Sequence, residues 1–219
     1  MNAAIDSIIF DPDGTLWDTC FACAVAWNNV VERHGMKYRK IEREDVRRVT
    51  GKPHELCIRE TFIGLPEEQI QLLIEATATE DNIMVERLGG EIYPSVAEGL
   101  KKLSKDYRLF IVSNCQAGYI ETFLKFSGFS DLFQDFECWG NTKKSKAENL
   151  ASVIERNSLK NPIMIGDMES DLIAVRKCGI PFYYVRYGFG EVSSFDEEFE
   201  SFSRLEDFMS TSSLKEELA

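Results

Sequence analysis

Apolar residues along the chain follow two different rhythms. The run Ile8 to Phe10 has the length and β-branching of a buried strand and stops abruptly at Asp11 and Asp13, with Gly14 allowing a sharp turn. From Thr19 the spacing changes: Cys23, Trp27, Val30 and Val31 recur at three and four residues, the period of an amphipathic helix. Helical patterns continue at Arg43 to Val49, Glu55 to Phe62 and Glu67 to Leu88, the last opened by Pro66. Residues 21–90 therefore read as a helical insertion, closed by Gly89 and Gly90 ahead of Tyr93 and Pro94.

From Ser95 onward helices and strands alternate. SVAE reads as a capping box opening a helix to Ser104, RLFIVS as a buried strand, AGYIETFLKFSGF as a helix and DFECW as a short strand. SKAE, a second capping box, opens a helix from Lys146 to Arg156; PIMIG is a strand, ESDLIAVRKCGI a helix and FYYV the last strand. Such alternation predicts an α/β fold, a doubly wound, Rossmann-like parallel sheet with right-handed crossovers. The core comprises residues 1–20 and 91–219, and 21–90 form a second, smaller domain. The acidic, serine-rich tail from Ser193 is expected to hold one helix near Leu205 to Met209 and a frayed end.

Composition narrows the function. With 219 residues, 44% of them hydrophobic, the chain can bury one large core or a core plus an appended domain. A formal net charge of −12 argues against a surface for phosphate backbones, so nucleic acid is excluded as a partner. No run approaches the ~18 apolar residues of a membrane span, and no basic segment precedes an apolar one near the start; the expectation is a cytoplasmic protein. Six scattered cysteines fit reduced thiols, and Cys20 and Cys23, a lone C-x-x-C in a helical pattern, read as small buried residues.

The strand ends carry the candidate chemistry. One apolar run ends in Asp11, the second in Ser113 and Asn114, the third in Gly166 and Asp167, all at the same sheet edge. Asp171 follows Asp167 by one helical turn. Clustered carboxylates need a cation, and an all-oxygen ligand set favours Mg²⁺. Asp171 also suits the first turn of a helix, where acids are favoured, whereas Lys146 at a helix start is out of place unless functional or solvated beside Lys143 and Lys144.

DPDGT, VSN, a helix-opening lysine and GDMESD together resemble the four motifs of the haloacid dehalogenase superfamily, in the same order and strand context. The likeness spans essentially the whole chain, and YGFG resembles the phosphoglycolate phosphatase-like branch, which stands near the β-phosphoglucomutase-like one. The resemblance implies that the helical insertion is a mobile cap. It implies Asp11 as the nucleophile forming an aspartyl-phosphate, Asp13 as the general acid and base, and Ser113 and Lys146 as holders of phosphate oxygens, with Asn114 in support on the substrate side. Mg²⁺ would sit between the Asp11 carboxylate, the Asp13 backbone carbonyl and Asp167, with Asp171 completing the acidic site. An acid at position 13 favours phosphoryl transfer over dehalogenation.

Pro12 departs from the pattern, because it lacks the backbone N–H that helps hold a transferring phosphoryl group. Around TGKP, one of Arg47, Arg48, Lys52 and His54 is a candidate for a substrate carboxylate or second phosphate, against solvated basic helix ends. Trp17 and Trp27 are candidates for the cleft, against simple core packing. The expected function is a Mg²⁺-dependent phosphatase acting on a small phosphorylated metabolite. A sugar phosphomutase and a binding or regulatory protein are the alternatives, and monomer and homodimer remain equally open.

Overall fold

A computed structural model describes residues 4–217, with side chains to residue 211. β1 (Ser7–Phe10) runs to the site, and a turn leads to the two-residue β2 (Trp17–Asp18). Four helices follow: α1 (Cys20–Arg33), α2 (Arg43–Val49), α3 (His54–Thr61) and α4 (Glu67–Leu88). The chain returns through β3 (Glu91–Ile92), which pairs antiparallel with β2, Trp17 opposite Ile92. These two short strands, unforeseen in the sequence, are the two connections through which α1–α4 join the sheet.

The remainder alternates as expected: α5 (Val96–Asp106), β4 (Arg108–Ser113), α6 (Tyr119–Ser127), β5 (Phe133–Cys138), a single turn α7 (Trp139–Thr142), α8 (Lys146–Arg156), β6 (Pro162–Gly166), α9 (Glu169–Cys178) and β7 (Phe182–Val185). β8 (Glu197–Phe199) and α10 (Phe202–Glu217) close the described chain. The sheet order is β5-β4-β1-β6-β7-β8, with every pair parallel. β1 lies between β4 and β6, where the winding reverses, and the crevice at its carboxyl end is the place where such sheets bind ligands.

Side chains alternate across the sheet with period two. Ile8, Phe10, Ile111 and Ile165 face α5, α6 and α10 through Leu100, Phe123 and Phe202. Ile9, Phe110, Val112 and Met164 face α8 and α9 through Leu150, Val153, Leu172 and Val175. Burial on both faces explains why these strands read as continuous apolar runs. Truncating one such residue, Phe110→Ala for example, costs about 3–5 kcal/mol.

Three expectations about local structure need correction. SVAE forms no capping box: Ser95 has φ 66° and its side chain makes no cap bond, because the chain leaves the turn after Pro94 in a left-handed conformation. By contrast, Ser145 accepts from the Glu148 N–H and Glu148 accepts from the Ser145 N–H, so SKAE is a true box. The tail holds more than one short helix. α10 extends to Glu217, and the charged edge strand β8, whose Glu197 and Glu198 are exposed, lacks the apolar signal by which strands are recognised. The end expected to fray after Met209 is instead helical to Glu217, and residues 218–219 lie outside the described residues. Among the described residues no helix is long and apolar enough to cross a membrane.

Candidate active site

The carboxyl ends of β1, β4 and β6 bring the motif residues together. Asp11 leaves β1 with its N–H bonded to the Ile165 carbonyl, which locks it to the end of β6 at 3.0 Å. The following turn is tied by the Pro12 carbonyl, which accepts from the N–H groups of Leu16 (2.8 Å) and Trp17 (3.2 Å). Gly14 sits in this turn at φ 80°, and a Cβ there would lie 2.1 Å from Asp167 Oδ2. Glycine is thus required twice, by the backbone and by the carboxylate against it.

Lys146, the first residue of α8, is 5% exposed and lies between two acids, 2.6 Å from Asp11 Oδ1 and 2.5 Å from Asp171 Oδ1. The Asp171 Oδ2 accepts from the backbone N–H groups of Asp167 (3.2 Å) and Met168 (3.0 Å), pinning the motif loop to the start of α9. Asp167 Oδ2 accepts from the Phe189 N–H at 2.7 Å, and Oδ1 faces the Thr15 hydroxyl at 3.5 Å.

Asp11, Asp167 and Asp171 each offer an oxygen within 4.8 Å of the others, and all three are buried. Three carboxylates against one ammonium leave an excess of buried negative charge. Burial and the Asp171 charge push the Asp167 carboxyl up to about 8, and burial raises Asp11 well above the usual range despite the opposing pull of Lys146. An all-oxygen set with this electrostatic deficit fits a small divalent cation. Asp11 is held by Lys146 through Oδ1, and Asp167 Oδ1 has the long Thr15 contact at 3.5 Å, so both keep coordination capacity, whereas both Asp171 oxygens serve Lys146 and the loop at 3.2 Å or less.

The Asp13 side chain turns away from this cluster. Its Oδ1 accepts from the Tyr119 hydroxyl (2.7 Å) and the Thr19 hydroxyl (3.2 Å), which themselves lie 2.6 Å apart. Three mutually touching oxygens share only two hydroxyl protons: if both go to Asp13 the Tyr119–Thr19 contact holds none, whereas a proton on the Asp13 carboxyl, donated to one hydroxyl, frees that hydroxyl to donate to the other. Burial accordingly raises this group to about 6, against the opposing effect of the two hydroxyls.

Ser113 and Asn114 follow β4 into the same crevice. Ser113 lines the cavity with Asp11, and its Oγ accepts from the Cys115 N–H at 3.2 Å. The Asn114 amide is engaged elsewhere: it donates to the Gly51 carbonyl at 2.9 Å, and Ser170 donates to the same oxygen at 3.2 Å. The turn between α2 and α3 is thereby clipped to both sides of the crevice.

The basic candidates near this turn are mostly committed to protein partners. Arg47 donates to the Gly188 carbonyl and lies over the Phe189 ring, Arg48 faces Asp45, and Lys52 pairs with Glu60 at 2.5 Å. Trp17 is fully buried against Phe123 and Tyr119, which is core packing, whereas Trp27 reaches the cavity. Cys20 and Cys23 are buried in α1, and the Cys23 thiol faces Thr19 Oγ1 at 3.8 Å.

Sequence reasoning missed Tyr119 and Asp81. No local signal marks Tyr119, which acts across 106 residues. Asp81 did carry one, since it occupies a buried position in the Ile70, Leu73, Thr77, Asp81, Met84 stripe of α4.

Comparison with known proteins identifies the family of the chain. The chain is similar to the phosphoglycolate phosphatase of Psychrobacter arcticus, at 27% identity over 220 residues, covering 92% of this chain and 94% of the relative. It is also 27% identical over 196 residues to that of Agrobacterium fabrum, covering 84% and 82%. A haloacid dehalogenase-like family protein from Streptococcus pneumoniae shares the fold with a TM-score of 0.81, at 20% identity, over 93% of this chain and 98% of its own. Since the haloacid dehalogenase-like hydrolase family matches residues 8–185, from the first strand of the sheet to the end of β7, the chain belongs to that family.

Proposed function

We propose that the protein is a Mg²⁺-dependent, phosphoglycolate phosphatase-like enzyme that hydrolyses a small phosphorylated metabolite through an aspartyl-phosphate on Asp11. The observation that carries this reading is the pairing of two carboxylates in different settings. Asp11 is held by Lys146 in the acidic cluster, and Asp13 is turned toward Tyr119 and Thr19 with its carboxyl raised to about 6.

An oxygen of Asp11 attacks phosphorus and forms the P–O bond of the acyl phosphate as the ester P–O bond breaks. Asp13 gives its proton to the departing alkoxide. The same carboxylate then takes a proton from water, which attacks phosphorus; the P–O bond to Asp11 breaks, and phosphate is released. Lys146 and the Ser113 hydroxyl stabilise negative charge on the phosphoryl oxygens. Mg²⁺ would be held by Asp11, Asp167 and the Asp13 backbone carbonyl, and would supply positive charge to the phosphoryl oxygens when bound. Asp171 orients Lys146. Residues 21–90 serve as the cap, excluding water from the reacting atoms while the Gly51 turn is clipped down.

The test is phosphate release from p-nitrophenyl phosphate by the wild type and Asp11→Asn, each with Mg²⁺ and with chelator. Turnover that needs Mg²⁺ and disappears in the variant supports the reading. Turnover that survives Asp11→Asn removes the covalent step.

A further inference from the structure

A cavity of about 60 Å³ lies between Asp11 and Asp13 on one side and α1 to α4 on the other. Its wall on the helical side carries a polar group that the proposed reaction does not use. Asp81, in the middle of α4, is 2% exposed and lines this cavity. Its Oδ2 accepts from Trp27 Nε1 at 3.3 Å and lies 3.5 Å from His54 Nδ1, and the Cys23 thiol adds a weak bond. Its Oδ1 is buried without an N–H or O–H partner. An unpaired buried carboxylate oxygen is costly, and a ligand donor is the straightforward remedy.

The hydrogen-bond chain behind the pair fixes its polarity. Thr77 gives its single hydroxyl proton to the Leu73 carbonyl at 2.6 Å, so its contact with His54 Nε2 at 2.9 Å requires that nitrogen to be the donor. The Ile74 carbonyl also accepts from the ring. A neutral His54 therefore turns a bare Nδ1 toward Asp81 Oδ2, and the proton that the buried carboxyl retains sits between those two atoms, leaving Oδ1 an acceptor. The pair faces the cavity as an acceptor-rich surface.

The Lys143 charge reaches His54 from outside the cavity lining. Among the described residues lining the cavity, Lys52 is the one lysine or arginine, and its ammonium is engaged by Glu60. A carboxylate on the organic part of a substrate would meet Asp81 at close range, with the one lining ammonium, Lys52, already paired to Glu60. A hydroxyl or ammonium there would supply the donor that Oδ1 lacks.

We propose that Asp81, oriented by His54 and Trp27, is the specificity residue for the leaving group: it selects phosphate esters whose organic part ends in a hydrogen-bond donor, as in a short polyol or amino alcohol, and rejects esters of hydroxy acids such as phosphoglycolate. This inference rests on the phosphatase reading for the placement of the phosphoryl group at Asp11, and it separates this chain from the substrate named for its relatives.

Binding isolates the inference from turnover. Calorimetric titrations in Mg²⁺ use Asp11→Asn protein with glycerol 3-phosphate, phosphoethanolamine and phosphoglycolate, then repeat all three after adding Asp81→Asn or, separately, Asp81→Leu. The expected result is at least tenfold tighter binding of one of the two donor-bearing esters than of phosphoglycolate, with that ratio falling to within about threefold in Asp81→Leu. Tighter binding of phosphoethanolamine that is lost in Asp81→Asn identifies an ionised Asp81, whereas tighter binding of glycerol 3-phosphate that is partly kept identifies hydroxyl recognition. Phosphoglycolate binding as tightly as either, a ratio unmoved by Asp81→Leu, or no binding of any ester overturns the inference. Failure of the phosphatase reading shows instead as absent turnover of p-nitrophenyl phosphate by the wild type.

Discussion

Replacing Lys146 by methionine keeps most of the side-chain volume and removes the one ammonium that, among the described residues, pairs with the Asp11, Asp167, Asp171 cluster. Lys146 touches two of those acids, at 2.6 and 2.5 Å, and is 5% exposed. Removing one partner of a buried ion pair costs about 3–5 kcal/mol, because the remaining charge is stranded out of water. At roughly 2–4 °C per kcal/mol for a chain of this size, Tm in chelator should fall by about 6–20 °C. Thermal melts followed by circular dichroism measure this directly. The double variant Lys146→Met/Asp171→Asn should recover part of the loss, since it removes one of the stranded carboxylates. Mg²⁺ should stabilise Lys146→Met by more degrees than it stabilises the wild type, because the same excess charge attracts it. Turnover of p-nitrophenyl phosphate should fall by about 10²–10³-fold, the scale for removal of one donor to a transition-state oxyanion. A Tm within about 2 °C of wild type in chelator would refute the electrostatic account of the cluster.

Other positions give independent checks. Pro12→Leu restores a backbone N–H beside the nucleophile; a charge-assisted hydrogen bond of about 1.5–3 kcal/mol in the transition state should raise kcat/KM on a phosphate ester about ten- to a hundred-fold, and an unchanged value would mean that this donor plays no part. Gly14→Ala places a methyl 2.1 Å from Asp167 Oδ2 at a positive φ, so it should lower stability by at least about 1–2 kcal/mol and abolish the Mg²⁺-dependent rise in Tm, both read from the same melts. Burial holds the Asp81 carboxyl up at about 8. Between roughly pH 4 and 8 the native state keeps a proton that the unfolded chain has lost, so this residue makes stability fall as pH rises through that window. Asp81→Asn lacks this dependence; its Tm relative to wild type should climb by several degrees between pH 5 and pH 8.5, and a constant difference would show that Asp81 is ionised throughout.

What was legible in the sequence was whatever local chemistry announces. β1, β4, β6 and β7 are buried on both faces and therefore stood out as apolar runs, and their polar termini gave Asp11, Ser113 and Asp167 at one edge. Lys146 was recognisable because the Ser145 box fixed where its helix begins. Ser95 carried the same pattern and failed, since a cap also requires an extended backbone that the preceding turn denies it. The partners of Asp13 and Asn114 were hidden because Tyr119 and Gly51 come from elsewhere in the chain. Arg47 and Lys52 looked available for substrate until the fold supplied Gly188, Phe189 and Glu60 as their partners.

The central position of β1 has a consequence for how the molecule is made. Ile9 is flanked in the finished sheet by Phe110 on one side and Met164 on the other. During synthesis at 5–20 residues per second, roughly ten to thirty seconds separate the emergence of β1 from that of its second neighbour. For that interval an apolar strand has one or both edges unpaired, the condition under which strands recruit foreign chains. Asp11 cannot meet Lys146 or Asp171 until late in translation, so the acidic cluster assembles only after this apolar strand has stood exposed. Its yield in a cell should therefore depend on chaperone supply more than its final stability suggests.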